Sequence, residues 1–308
     1  MNSINAADLF PDHRSSQSRS RVYCGGKCVG GPERSGVIGT SLIILVPTVV
    51  YVVCLAPWLF AYGFWYVGVL PLLSLPLTEA LLLMAALSDP GIIPRRVAKL
   101  EDLPEGRAPS VKRSHFDRAK QVEFETTHKW CDTCLIYRPD RASHCRSCDN
   151  CVAHFDHHCP WISNCVGRNN YKFFLTFTVF VVLSCGLVML AGALAIGMIS
   201  VSANSVDGAS ASAAFAGILA DRQTAVAFFA AIALLLYAFC TVWSVVGLCG
   251  YHCYISHKNE TTHENLNANW GARAHNPRDA GVVHNMMWAC CPPEWPRVFP
   301  PSGNVASY

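Results

Sequence analysis

The stretch CDTCLIYRPDRASHCRSCDNCVAHFDHHCPWISNC, Cys131 to Cys165, holds seven of the sixteen cysteines in the chain and four of its twelve histidines. Asp132, Arg138, Asp140, Arg141 and Arg146 run through it, so it has too few apolar residues to form a large core of its own. Structural zinc takes four thiolate or imidazole ligands in a tetrahedron, and two residues between cysteines let both sulfurs turn toward one ion. The pairs Cys131/Cys134 and Cys145/Cys148 have that spacing. One zinc would leave several thiols idle. Two zincs need eight ligands, which six cysteines and two histidines supply, leaving one cysteine over. The count alone does not say which ones. Metal then has to provide the folding energy of the segment.

Cys159 is the candidate for the remaining cysteine. It directly follows Asp156, His157 and His158, the composition of an activated thiol: nucleophile, base, and a carboxylate that orients the base. A neighbouring imidazolium lowers a thiol from its ordinary pKa of about 8.5. The competing reading makes Cys159 an alternative or non-ligating zinc cysteine.

The rest of the chain has a different character. Of its 308 residues, 52% are hydrophobic and 15% charged, against about 25% charged in soluble domains. The apolar residues cluster into runs long enough for spans of about 20 residues: 37–60, 64–87, 173–199 and 224–250. The fold class expected is an α-helical polytopic membrane protein with four transmembrane helices. A loop-rich, two-zinc, cysteine-rich domain (about 129–172, within segment 88–172) lies between helices 2 and 3. The first thirty-odd residues show no short apolar core followed by a cleavage site, so insertion is expected from these internal spans. Aromatics in the Pro57–Gly63 hinge region and just after it (Trp58, Tyr62, Trp65) suit a membrane interface. Pro47, Pro71 and Pro76 fall inside spans and Glu79 stands in the second. Glu79 reads either as a polar contact between helices or as a functional acid.

Basic residues set the orientation. Arg14, Arg19, Arg21 and Lys27 precede the first span, and Arg95, Arg96, Lys99, Arg107, Lys112, Arg113, Arg168 and Lys172 lie in segment 88–172. Lys258 follows the fourth span, whereas loop 200–223 carries only Arg222. The tails 1–36 and 251–308 and the 88–172 segment are therefore expected on the cytosolic side, and loop 200–223 on the other. A chain of this kind belongs in an endomembrane (Golgi or ER) or in the plasma membrane.

The run from Cys131 to Phe174 follows the pattern C-x2-C-x9-HC-x2-C-x2-C-x4-DHHC-x5-C and ends in N-x3-F at Asn170 and Phe174. It resembles the cysteine-rich domain of the DHHC protein S-acyltransferases. Further family signatures stand in place: Asp89-Pro90-Gly91 after span two, Thr261-Thr262-His263-Glu264 after span four, and an asparagine element ending at Asn285. The resemblance covers roughly residues 21–290 and looks nearest to the plant-type and Ras-acylating branch. Arg278 stands where an aromatic is common, and Ser163 where Gly or Asn is common.

The resemblance implies one zinc on Cys131, Cys134, His144 and Cys151, and a second on Cys145, Cys148, His158 and Cys165. It leaves Asp156 and His157 beside Cys159, with His154 an ordinary surface histidine. It implies palmitoyl transfer from acyl-CoA to cysteines of substrate proteins, in two steps through acyl-Cys159. Arg138 and Arg141 are candidates for the CoA phosphates, solvated loop charge being the other reading. Trp161 is a candidate for lining the mouth of an acyl groove between the spans. Ser184, Cys185 and Gly186 mark either its deep end or a helix contact. Thr261 or Thr262 reads as a hydrogen-bond donor to Asp156 or as a local cap.

The partners expected are long-chain acyl-CoA, cytosol-facing proteins with membrane-proximal cysteines, the bilayer, and room for an accessory subunit. Nucleic acid is not expected, because the basic residues lack interleaved stacking aromatics. The alternative function is a non-catalytic, membrane-anchored zinc module that binds proteins, which leaves Asp156, His157 and Cys159 without a role. Cys24, Cys28, Cys253, Cys290 and Cys291 lie outside the zinc pattern and are candidate lipid acceptors. Pro292, Pro293, Pro300 and Pro301 are candidate docking points.

Overall fold

Four helices are long and apolar enough to cross a membrane: Ser35–Ala61, Trp65–Leu87, Tyr171–Ala203 and Arg222–His257. They come from a computed structural model that describes residues 18–24, 27–95, 110–117, 122–204, 210–267, 276 and 278–291. Arg14, Arg96, Lys99, Arg107, Pro292, Pro293, Pro300 and Pro301 lie outside the described residues. In chain order the helices are α1 (Ser35–Val50), α2 (Ala56–Ala61), α3 (Trp65–Leu87), α4 (Tyr171–Asn204), α5 (Ala211–Ala220), α6 (Arg222–His257), α7 (Thr262–Asn267) and α8 (Val282–Cys290). The strands among the described residues are β1 (Arg21–Tyr23), β2 (Cys28–Gly30), β3 (Ile92–Ile93), β4 (Ser110–Asp117), β5 (Val122–Cys131), β6 (Ile136–Tyr137), β7 (Ser143–Cys145), β8 (Asn150–Val152), β9 (His157–Cys159) and β10 (Asn164–Val166). The cysteine-rich segment lies between the second and third long helices.

The chain divides into two compact units, one of which is Ile38–Leu82 with Leu175–Tyr251. Its core joins Tyr51, Leu55, Leu59, Leu75, Val188, Ala195, Ala231 and Leu234. Apolar side chains also cover its outside, with Val53, Leu73, Val201 and Trp243 all more than 60% exposed. A helix apolar on every side suits a lipid surround. The break after the first long helix falls at Gly63, with φ +80°, whereas Pro57 sits near the start of α2. Pro47 removes the donor for the Ile43 carbonyl one turn back, and the Tyr237 hydroxyl donates there instead (2.7 Å). A five-residue π-helical turn, Tyr51–Leu55, joins α1 to α2.

Several sequence expectations change here. Trp58 is not an interface aromatic. It is buried and its Nε1 donates to Thr224 Oγ1 (3.3 Å), while Tyr62 and Trp65 stay exposed. Ser41 Oγ donates to Glu79 Oε1 (2.7 Å), so Glu79 makes the interhelix contact. Ser184 makes a 2.9 Å hydrogen bond to Thr78, so of its two readings, groove end or helix contact, it shows the contact between α3 and α4. The 200–223 loop contains α5, an alanine-rich helix capped by Ser210 Oγ, which accepts from the Ala213 N–H. Ile218 of α5 packs into the core.

The other unit gathers Leu83–Phe174 with the chain up to Val37 and from His252 onward. Strand β4 pairs with β5 and β5 with β6; β3 pairs with β8 and β8 with β7; β9 pairs with β10; and β1 with β2, all antiparallel. The β4–β5 hairpin precedes the zinc pattern and was not expected, although residues 125–130 alternate exposed Glu125, Thr127 and Lys129 with covered Thr126, His128 and Trp130. That is a strand period of two. At the other end of α3, Asp89 Oδ1 accepts from the N–H groups of Gly91 and Ile92 (2.8 and 2.9 Å). This turn, with Gly91 at φ +102°, aims β3 at the cysteine-rich hairpin.

Candidate active site and metal centres

Each C-x-x-C pair is the turn of a short hairpin. Cys131 ends β5 and Cys134 precedes β6; Cys145 ends β7 and Cys148 precedes β8. Leu135 and Asp149, the residues after each pair, both adopt the left-handed conformation, φ +54° and +55°, which reverses the chain around the sulfurs. The remaining ligands come as cross-strand neighbours: His144 faces Cys151 across β7–β8, and His158 faces Cys165 across β9–β10.

Two groups result, Cys131/Cys134/His144/Cys151 and Cys145/Cys148/His158/Cys165, with the ligand atoms of each within 4.8 Å of one another. In the first, sulfur to His144 Nδ1 distances are 3.6, 3.5 and 3.9 Å. In the second they are 3.7, 3.4 and 3.7 Å to His158 Nδ1. Zinc bonds of about 2.3 Å to sulfur and 2.0–2.1 Å to nitrogen give a tetrahedral S···N edge of about 3.6 Å, so both groups fit that ion. Their electrostatics agree. The neighbouring Cys151 thiol holds Cys134 below the ordinary thiol range, and Cys134 in turn holds Cys151 above it. Such a cluster can lose all its thiol protons only with a cation inside. Asp149 stands 3.5 Å from His144 Nε2 and pairs with Arg95, the outer carboxylate that orients a metal-bound imidazole.

Strand alternation then sorts the DHHC residues. Successive side chains on β9 point to opposite faces, so His158 turns to the metal group while His157 and Cys159 turn together to the other side. Cys159 is buried. His157 Nδ1 donates to Asp156 Oδ2 (2.6 Å), and Cys159 on the same face of the strand interacts electrostatically with the ring. Asp156 has a fully buried side chain and accepts two further bonds, from the Thr262 N–H at Oδ1 (2.7 Å) and the Thr262 hydroxyl at Oδ2 (2.8 Å). Burial works against the His157 imidazolium, but Asp156 and Cys159 outweigh it and lift its pKa to about 9. Burial likewise favours neutral Asp156, yet His157 and the Thr262 N–H hold its carboxyl below the usual range. Asp156, His157 and His252 form a third compact group, but the 2.6 Å Asp156–His157 contact is a hydrogen bond. It is shorter than the about 3.4 Å edge between two ligands of one ion.

The tail holds this arrangement. Thr261 Oγ1 accepts from the Glu264 N–H (3.2 Å) and Glu264 Oε2 accepts from the Thr261 N–H (2.9 Å), a capping box that starts α7. Thr261 is thus the cap and Thr262 the donor to Asp156. Asn285 Nδ2 donates to the His257 carbonyl (2.7 Å), fastening α8 to the end of α6. Arg278, despite replacing an aromatic, packs the tail through a charge pair with Asp140 (2.8 Å). Ser163 takes a left-handed conformation, φ +52°, which explains why Gly or Asn suits the position. Its hydroxyl accepts from the Val37 N–H in the first turn of α1 (2.9 Å).

Arg141 is not placed to hold a CoA phosphate. Its Nε and Nη2 donate to both oxygens of Glu264 (2.7 and 2.6 Å), and Nη1 and Nη2 donate to Oδ1 and the carbonyl of Asn259 (2.9 and 3.0 Å). With its side chain 4% exposed, Arg141 is an internal tie to the tail. Among the described residues, the Arg138 guanidinium makes long contacts, to the Lys129 carbonyl (3.5 Å) and Ser143 Oγ (3.4 Å). Arg141→Ala is expected to cost about 3–5 kcal/mol by stranding Glu264, seen as a lower thermal unfolding temperature in detergent with the acyl-CoA half-saturation unchanged. Arg138→Ala is expected to do the reverse. Trp161 is 61% exposed, two residues beyond Cys159. His154 is no surface histidine: its ring lies 4.7 Å from that of Trp288 and Arg168 Nη1 is 3.3 Å from its Nε2.

Comparison with known proteins matches this site to a family. A family profile described as DHHC palmitoyltransferase matches residues 124–269. Palmitoyltransferase ZDHHC9 of Danio rerio is 32% identical over 294 residues, covering 91% of this chain and 72% of that protein. The chain belongs to the DHHC palmitoyltransferase family. Protein S-acyltransferase 8 of Arabidopsis thaliana is 32% identical over 306 residues, 91% of this chain and 67% of that protein. Palmitoyltransferase ZDHHC18 of Mus musculus is 30% identical over 312 residues, 97% and 76% respectively. Within this DHHC chain, sequence reading missed His252, which lies against His157 (ring centroids 5.8 Å apart). A lone histidine at the end of an apolar helix gives no local pattern to notice.

Proposed function

We propose that the protein is a protein S-acyltransferase that moves a palmitoyl-type chain from acyl-CoA to cysteine thiols through an acyl-Cys159 intermediate. The observation that carries this reading is a buried carboxylate, Asp156, hydrogen-bonded to the His157 imidazole, with the buried Cys159 thiol on the same face of β9. His157 takes the thiol proton, and Asp156 fixes its tautomer and balances the charge that forms. The Cys159 sulfur attacks the acyl carbonyl, the carbon–sulfur bond to CoA breaks, and CoA leaves with a proton from His157. A substrate cysteine then gives its proton to His157, attacks acyl-Cys159 and restores the thiol. One thioester replaces another in each step, so the site contributes mainly position and electrostatic stabilisation.

The two four-residue groups would hold zinc with every tetrahedral position taken by protein, and such closed sites supply folding energy. Ligand His158, between His157 and Cys159, anchors the reactive strand. Arg138 is retained as the candidate for the CoA phosphates and Trp161 as the residue at the mouth of the acyl site. The basic residues flanking the spans support a cytosolic site with both tails on that side, in an endomembrane or the plasma membrane, where substrate proteins carry membrane-proximal cysteines.

The test is labelling of purified, detergent-solubilised protein with alkyne palmitoyl-CoA. Label that hydroxylamine removes should persist when Cys24, Cys28, Cys253, Cys290 and Cys291 are replaced, and should vanish with Cys159→Ser. Label indifferent to Cys159, in protein holding about two zincs, would return the site to a non-catalytic zinc module.

A further inference from the structure

His252 stands in GLCGYHCYISH near the end of α6. It is 2% exposed and forms one wall of a box around His157. Phe174 meets His157 at 5.4 Å and His252 at 4.9 Å, both edge-on. Tyr171 lies 5.8 Å from His252 and 6.4 Å from Phe174. A phenylalanine would fill the same wall without burying two ring nitrogens, and buried polar atoms are costly unless they find partners. His252 Nδ1 is 3.2 Å from the Tyr171 hydroxyl, which is 2.9 Å from the Ser256 hydroxyl. One ligand-type atom each of Asp156, His157 and His252 lies within 4.8 Å of the others.

We propose that His252 is a positioning residue for the catalytic pair. In the proposed assignment Ser256 donates to Tyr171 and Tyr171 to His252 Nδ1, which leaves the imidazole proton on Nε2. The imidazole stands against the buried Asp156–His157 pair, and in this assignment its N–H dipole favours the ionised carboxylate while His157 carries the thiol proton. The partner on one nitrogen sets which tautomer the other presents. Phe174 and His252 together keep the His157 ring turned toward Cys159 and water away from the acyl thioester.

The inference rests on the acyl-transfer reading, and single-turnover acylation of Cys159 in detergent separates the two. His252→Phe keeps a ring and deletes the dipole. It is expected to slow acylation about tenfold, the effect of losing one hydrogen-bond-strength interaction with a charged group. Half-saturation in palmitoyl-CoA should stay within about twofold of wild type, with two zincs retained. His252→Gln, which keeps an N–H donor, should recover most of the rate, and Tyr171→Phe should fall between. A His252→Phe rate equal to wild type, or equal losses in the Phe and Gln variants, would overturn the proposal, because His252 would then only fill space. If His252→Phe does not fold, Tyr171→Phe decides: a wild-type rate there overturns it equally. Failure of the wild type to acylate Cys159 would instead sink the acyl-transfer reading.

Discussion

Asp156→Asn is expected to slow acylation of Cys159 by about 10²–10⁴-fold, the range of a disabled general acid–base pair. The reason lies in three hydrogen bonds. Asp156 accepts from His157 Nδ1 and twice from Thr262, so all three groups against it are donors. An asparagine amide would set an NH₂ against one or more of them. It also carries no charge to balance an imidazolium in a site where its side chain has no solvent exposure. Thr262→Val removes one donor and should cost far less, about tenfold or below. Rapid-quench measurement of the first turnover, with zinc content checked in parallel, gives both numbers. A wild-type rate for Asp156→Asn would mean that His157 needs no partner and that the three-residue line is incidental.

Removal of zinc has the other large expected effect. The two small clusters in this segment are built mainly from the ligands themselves. One joins Ile93, Cys131, Cys134, Cys151 and Ala153; the other joins Cys145, Cys148, Val152 and Cys165. Strands of two or three residues add little more. Without metal, few apolar side chains from Cys131 to Cys165 remain buried among the described residues, Val152, Ala153 and Ile162 being the main ones, and structural zinc contributes about 10–16 kcal/mol in small domains. A strong chelator should abolish acylation and open residues 131–165 to protease. The four long helices, whose core is separate, should keep their helical circular dichroism. Full acylation in protein shown to be free of zinc would contradict this.

How much was legible in the sequence depended on how local the determining physics is. The four long helices follow from run length and apolarity alone, because a lipid-facing helix needs no pattern beyond that. The segment's need for metal followed from its charged composition and the paired cysteines. Which histidine of the His157–His158 pair serves a metal did not follow from counting. It depends on β9 being a strand, where neighbours diverge and alternate residues share a face, and a three-residue strand leaves no periodicity to read. Arg141 misled for a related reason. A basic residue in a polar loop reads as available charge until Glu264, 123 residues along the chain, is found against it. Thr262 and His252 reach the site by the same long-range return, one from the turn after α6 and the other from its last turns. The β4–β5 hairpin is different: its alternation was present in the sequence, but lay beside a stronger pattern.

The central claim is that the acyl group passes through Cys159 on its way to a protein cysteine. The most direct measurement is a chase. Wild-type protein is acylated with palmitoyl-CoA, freed of all CoA, and mixed with a cysteine-containing acceptor peptide in detergent, while peptide mass mapping follows Cys159. The account predicts that the acyl group leaves the peptide containing Cys159 at the rate at which it appears on the acceptor, with no CoA present. Acyl-Cys159 that persists unchanged while added acyl-CoA still acylates the acceptor would contradict it.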